Sequence, residues 1–208
     1  MPHKGRIRYR DLVRRGLVDE NTIFRLAISL CPAIAVTSSL RNGLLMGIAV
    51  LFVQIMVNVT ISSMRVFIHP RIRLPIFMLV ASGWVTITDM SMAALTPEAY
   101  KQMGLYIQLI VAFASILAGA EMFASKNGVV ASFFDGIGRG GGFLLALVII
   151  GTFRELLGKG TLGGLQIVNA KPLLIMVLPA GGFFSVGILM AFFNWVDTKY
   201  LKRLKSTG

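Results

Sequence analysis

The sequence predicts an all-α membrane protein: six transmembrane helices in an inverted 3+3 repeat with two broken half-helix segments. Three observations carry that expectation. Of 208 residues, 55% are hydrophobic and only 14% charged, and the mean hydropathy is strongly positive. A soluble domain of this length needs more polar surface. Apolar stretches of about the 20 residues that cross a bilayer recur along the chain. Finally, a short basic-Asn-Gly motif returns about half a chain later at an equivalent place in the pattern.

The first apolar stretch, Leu26–Leu40, is short and interrupted at Leu30-Cys31-Pro32, where proline removes a backbone hydrogen bond and breaks or kinks the run. The second, Asn42–Met64, is free of charge. The third, Leu74–Leu95, holds one acid, Asp89. The fourth is Leu105–Ala120. The fifth, Val129–Phe153, carries Asp135, Arg139 and Gly140-Gly141-Gly142. The sixth, Pro172–Val196, is free of charge and contains Pro179 and Gly181-Gly182.

The net charge is +12. In a soluble chain such a balance suggests nucleic acid, but here the charge clusters beside the apolar segments. Lys4, Arg6, Arg8, Arg10, Arg14 and Arg15 precede the first; Lys199, Lys202, Arg203 and Lys205 follow the last. Basic flanks mark the cytoplasmic side and sit against anionic lipid headgroups. No nucleic-acid partner is expected, since only Tyr9 and Tyr200 interleave with these charges. Arg65, Arg71 and Arg73 join segments two and three and fall inside when both termini do. The loop with Arg154, Lys159 and Lys171 runs against this bias. The amino end lacks the pattern of a cleaved signal. The single Cys31 has no internal disulfide partner.

Arg41-Asn42-Gly43 follows the first segment and Lys126-Asn127-Gly128 the fourth, 85 residues apart. Three crossings separate them, so the second half enters from the opposite face. Such repeats place function near the midplane, on discontinuous helices. The expected organisation is a basic cytoplasmic arm over 1–22, a first repeat over 23–104, a second over 105–196 and a basic tail over 197–208.

Cys31 lies on a short broken segment. A lone cysteine is often a small buried hydrophobe; the alternative is a thiolate ligand to iron and sulfur. A cluster takes about four sulfurs, and one cysteine obliges other chains to supply the rest. Asp89 is a candidate for an ion path, because intramembrane acids are costly and usually functional; the alternative is a helix end at the interface. Asp135 and Arg139, four apart on one helix face, are expected to pair. Glu121 and Lys126 flank the fourth segment's break. These, and the adjacent Arg154 and Glu155, read as interface anchors or helix-terminus partners rather than catalytic groups. Gly138-Arg139-Gly140-Gly141-Gly142 resembles a phosphate loop in letters only; in an apolar helix small residues serve close packing. His3 and His69 alone do not suggest haem.

Four motifs occur in order: Leu30-Cys31-Pro32-Ala33-Ile34-Ala35-Val36-Thr37; Arg71-Ile72-Arg73-Leu74-Pro75; Ala120-Glu121-Met122-Phe123-Ala124-Ser125-Lys126-Asn127-Gly128; and Phe153-Arg154-Glu155-Leu156-Leu157-Gly158-Lys159-Gly160-Thr161-Leu162. Over nearly its whole length the chain resembles the E subunits of Rnf ion-translocating electron transport complexes. It is also similar to their relatives, the D subunits of Na⁺-translocating NADH:quinone reductases. Lys-Asn-Gly after Ala-Ser favours the Rnf branch.

The resemblance implies a pseudo-symmetric partner, the A subunit, and a [2Fe–2S] cluster between the two, each chain giving two cysteines. Cys31 matches the first. The second aligns to Ala114, a departure from the pattern, and the adjacent Ser115 is a poor substitute. It further implies a bacterial inner membrane location and a complex with the B, C, D and G subunits. Electrons pass between ferredoxin and NAD through that complex, driving Na⁺ or H⁺. No flavin or nucleotide site is expected on this chain. Two other classes remain open from the residues alone: a secondary transporter with an inverted repeat, and a non-redox membrane scaffold.

Overall fold

The computed structural model describes residue 23 and residues 29–37, 39–159, 161–162, 165–166 and 178–205. The arm over 1–22, the loop with Lys171 and the beginning of the sixth predicted segment at Pro172 lie outside them. The described chain is helical apart from one antiparallel pair of two-residue strands, β1 (Thr161–Leu162) and β2 (Leu165–Gln166). The helices are α1 (Leu30–Val36), α2 (Leu40–Met64), α3 (Arg73–Leu95), α4 (Pro97–Gln108), α5 (Ala114–Gly119), α6 (Val129–Lys159) and α7 (Pro179–Lys205). Four stretches are long and apolar enough to cross a bilayer: Leu40–Met64, Arg73–Leu95, Tyr106–Ala124 and Val129–Gly158. Pro179–Trp195 is a shorter apolar helix.

The core is the pair α2 and α6. Gly43 lies against Leu147, Gly47 against Leu144, Leu51 against Gly140, and Ile55 against Gly136. The register climbs on one helix as it falls on the other, so the two are antiparallel. A Cβ on Gly136 would stand 3.0 Å from the Ile55 Cα, and one on Gly140 the same distance from the Leu51 Cα. The backbones therefore approach as closely as small residues permit. Within the glycine-rich run, Gly140 thus serves close packing, while a Cβ on Gly141 would meet open space. On α3, Leu79 and Met90 face outward and are largely exposed, as expected of a helix whose outer face meets lipid or another apolar chain.

The chain turns beside Cys31 as expected, for a different cause, whereas the fourth segment breaks at Phe113, ahead of the Glu121 and Lys126 that the sequence reading takes to flank its break. Pro32 does not interrupt a helix. It is the third residue of α1, in the first turn, where a missing N–H leaves no bond unmade. The backbone instead turns at Ser29, whose φ of 64° is left-handed, and α1 ends at Val36, capped by Thr37. Pro179 likewise opens α7 rather than kinking it. In the fourth segment, α4 passes through a 3-10 turn (Leu109–Ala112) to an extended Phe113. There α5 begins and continues as a π-turn over Ala120–Ala124. The expected tail over 197–208 is helix as far as Lys205, continuous with α7. Nothing there breaks the helix, and basic residues suit a helix C-terminus.

Candidate functional site: the paired helix breaks

The two breaks meet. The backbone N–H of Ser115, the second residue of α5, donates to the Ser29 Oγ at the start of α1, 3.2 Å away. Cys31 and Ala114 each lie in the first turn of their short helix, and both are exposed on the surface of the chain. Ser115, by contrast, is buried. Its helix turns it inward, away from the surface on which Cys31 and Ala114 are exposed. Behind the breaks lie Ala33, Ile34, Val36, Phe113, Ile116 and Ala120, all buried, with the Phe113 and Phe143 rings 6.2 Å apart.

Among the described residues no three His, Cys, Asp or Glu side chains gather into a metal site. A cluster held by about four sulfurs finds one donor here, at the surface. The donor set would fit such a cluster only as a single corner, and the other ligands would have to come from another chain.

Arg154 and Glu155 fix the far end of the first break. The Arg154 guanidinium donates to the Ile34 carbonyl at 2.5 Å and the Thr37 Oγ1 at 3.0 Å, and to the Leu178 carbonyl at 3.3 Å. It thereby serves the Ile34 carbonyl, one of those in the last turn of α1 that a terminating helix leaves without an intrahelical partner. Glu155 Oε2 accepts the Leu40 N–H at 2.7 Å, capping α2 where Ser39 makes no side-chain cap. Gly182 leaves room for this arrangement, since a Cβ there would collide with Ile34. Both residues are helix-terminus partners, as the sequence reading expects. The other end of the central pair has a matching tie. The Ser62 Oγ donates to the Asn127 carbonyl at 2.7 Å, and Arg65 to the Lys126 carbonyl at 3.2 Å. Glu121 pairs with Arg73 at 2.5 Å.

Asp135 and Arg139 pair as predicted, at 3.1 Å, both buried. The sequence reading missed their neighbours. Gln54 Nε2 donates to Asn58 Oδ1 at 3.3 Å, and Asn58 Nδ2 reaches Asp135 Oδ2 at 3.5 Å. Gly119 makes space for Gln54. The available signal was a pair of amides four residues apart in a charge-free span, the same spacing as the ion pair opposite. Buried polar groups are costly unless partnered, and this row of four shares its partners across the α2–α6 seam.

Asp89 stands apart from these, near the end of α3. Tyr100 on α4 donates its hydroxyl to Asp89 Oδ2 at 3.2 Å. Asp89 Oδ1 is buried and has no hydrogen-bond partner among the described residues. Partial burial, followed by the neighbouring carboxylate and its hydrogen bond, pushes the Tyr100 phenol above its ordinary pKa.

Comparisons with known proteins agree along the length of the chain. The family described as Rnf-Nqr subunit, membrane protein, matches residues 9–190. The chain is 47% identical over 197 residues to the E subunit of the proton-translocating ferredoxin:NAD(+) oxidoreductase complex of Clostridium ljungdahlii, covering 94% of this chain and 92% of that one. It is 44% identical to the E subunit of the Na(+)-translocating ferredoxin:NAD(+) oxidoreductase complex of Acetobacterium woodii, covering 89% and 95%. To the E subunit of the ion-translocating oxidoreductase complex of Rhodobacter capsulatus it is 42% identical, covering 92% and 85%. The ordered motifs, the apolar helices and these likenesses agree: the chain belongs to the Rnf-Nqr family of membrane subunits.

Proposed function

We propose that this chain is the E-type component of a redox-driven Na⁺ or H⁺ pump that couples ferredoxin:NAD⁺ electron transfer to ion translocation. The likeness to the E subunits of such complexes supports the reading. The observation that carries it further is the meeting of the two helix breaks, with Cys31 and Ala114 both exposed at helix starts.

In this reading the chain is two inverted halves of three crossings, 23–104 and 105–196, with both termini on the cytoplasmic side of a bacterial inner membrane. The antiparallel seam between α2 and α6, tied at both ends, supports that arrangement. The sister A subunit covers the surface bearing Cys31 and Ala114. The B, C, D and G subunits carry the ferredoxin and NAD chemistry. Cys31 supplies one thiolate to a [2Fe–2S] cluster at that contact, and Ala114 supplies none. Such a cluster contributes one-electron transfer when bound. What this chain does is hold the thiol: Arg154 and Thr37 close the end of α1, and Ser29 fixes its start against α5.

The test is Cys31→Ser in the purified complex, read by iron content and by electron paramagnetic resonance as well as ferredoxin–NAD turnover. The expected result is loss of one cluster's iron and signal and at least a tenfold fall in turnover. Unchanged iron and turnover would remove the cluster role. Solute uptake by this chain alone in liposomes would favour the secondary transporter.

Asp89 belongs to the ion path in the same reading. One buried carboxylate oxygen without a partner among the described residues, beside a tyrosine hydroxyl, suits transient cation or proton binding. Asp89→Asn is expected to lower ion transport at least severalfold while leaving ferredoxin–NAD electron transfer measurable. Equal transport per electron would count against it.

A further inference from the structure

A cavity of about 220 Å³ opens where three apolar stretches reach the same end of the bundle. Arg65, just past α2, and Ile68 line one side. Arg73 and Phe77, in the first turns of α3, line another. Ser125 and Lys126, in the turn before α6, close it. Three cations thus surround a small space. One acid, Glu121, pairs with Arg73. Arg65 uses one donor on the Lys126 carbonyl, and a guanidinium carries five.

The position selects the ligand. The residues stand at the ends of membrane-length helices, hence at headgroup depth. Beside the cavity, the turn linking α2 to α3 presents Val66 and Phe67 to the outside, 83% and 89% exposed. Two apolar side chains projecting next to a cationic cavity match a surface that meets both acyl chains and phosphate. We propose that this cavity binds the phosphate of an anionic phospholipid headgroup, with the glycerol and upper acyl chain against Ile68 and Phe77. A free phosphate would satisfy the same cations but would leave the apolar wall and the exposed Val66 and Phe67 unused.

The full-length chain, purified with its accompanying subunits, is placed in nanodiscs of phosphatidylcholine containing a minor fraction of phosphatidylglycerol. Native mass spectrometry then counts retained phosphatidylglycerol. Arg65→Gln with Lys126→Gln is expected to weaken retention roughly thirtyfold, at about 1 kcal/mol per basic group. Millimolar inorganic phosphate should not displace the lipid. Equal retention by variant and parent overturns the proposal. Displacement by phosphate at matching concentration overturns the lipid assignment in favour of a soluble anion. Should the double variant not assemble, Glu121→Gln decides. Removing the competing acid should raise retention severalfold, and unchanged or lower retention overturns the site.

Discussion

At the scale of the residue, Arg154 and Glu155 show how far a sequence reading reaches. Their charge and their place at the end of an apolar stretch identify them as helix-terminus partners. Their targets, Ile34 and Leu40, lie more than a hundred positions away and become visible only once α6 is folded against the first break. Glu155→Ala leaves the first N–H of α2 without its cap. It is expected to cost roughly 0.5–2 kcal/mol, as cap losses do, read as a lower melting temperature of the detergent-purified chain. Glu155→Gln, which still accepts, should recover most of the loss. The pair Asp135–Arg139 was legible from its spacing, whereas Gln54 and Asn58 were not, because an amide in an apolar span has no charge to draw attention. Tyr100 yields a prediction in pH. Its phenol is raised above its ordinary value in the folded chain, so the fold favours the neutral form. The corresponding stability is complete below about pH 10, the ordinary phenol value, and is lost as pH rises through the folded value. A difference titration of the phenolate absorbance between parent and Tyr100→Phe should show a midpoint above that ordinary value.

At the scale of the element, proline and glycine each carried a different amount of information. Apolar length located α2, α3 and α6 to within a few residues at most boundaries. The α6 helix is the exception, running on to Lys159 because nothing between Phe153 and Lys159 stops it. Pro32 marked the right neighbourhood for the wrong reason: it lies in the first turn of α1, where proline geometry suits a helix start, as Pro179 does in α7. The break at Phe113 has neither proline nor glycine to announce it. It follows from the seating of α5 against α1 and the core, a tertiary demand. The glycines separate more sharply. Gly140→Val would drive side-chain atoms into the Leu51 backbone, and overpacking of this kind costs about 1–3 kcal/mol. A Cβ on Gly141 meets nothing within 4 Å. Gly141→Ala should therefore be neutral or stabilising by up to about 1 kcal/mol. Melting curves of the two variants side by side check the contrast, and equal losses would mean the seam is not the site of close approach.

At the scale of the whole molecule, the sequence revealed the membrane setting and the long central helices. It did not reveal that the breaks touch, nor that the thiol at one and the methyl at the other both face outward. That outward placement explains why Cys31 was hard to interpret alone: its partners, in the proposed reading, are on another chain.

The ties at Ile34 and Leu40 also bear on how the protein is made. When α1 and α2 enter the membrane, a carbonyl in the last turn of one and the N–H that begins the other still lack the side chains that meet them in the folded protein. The residues that serve them, Arg154 and Glu155, leave the ribosome only after more than a hundred further residues have been added. The first half is therefore inserted with its own junction unfinished. A nascent chain arrested before residue 154 would hold that carbonyl and that N–H without the side chains that serve them in the folded protein, a lesion open to quality-control proteolysis until the second half arrives to close it.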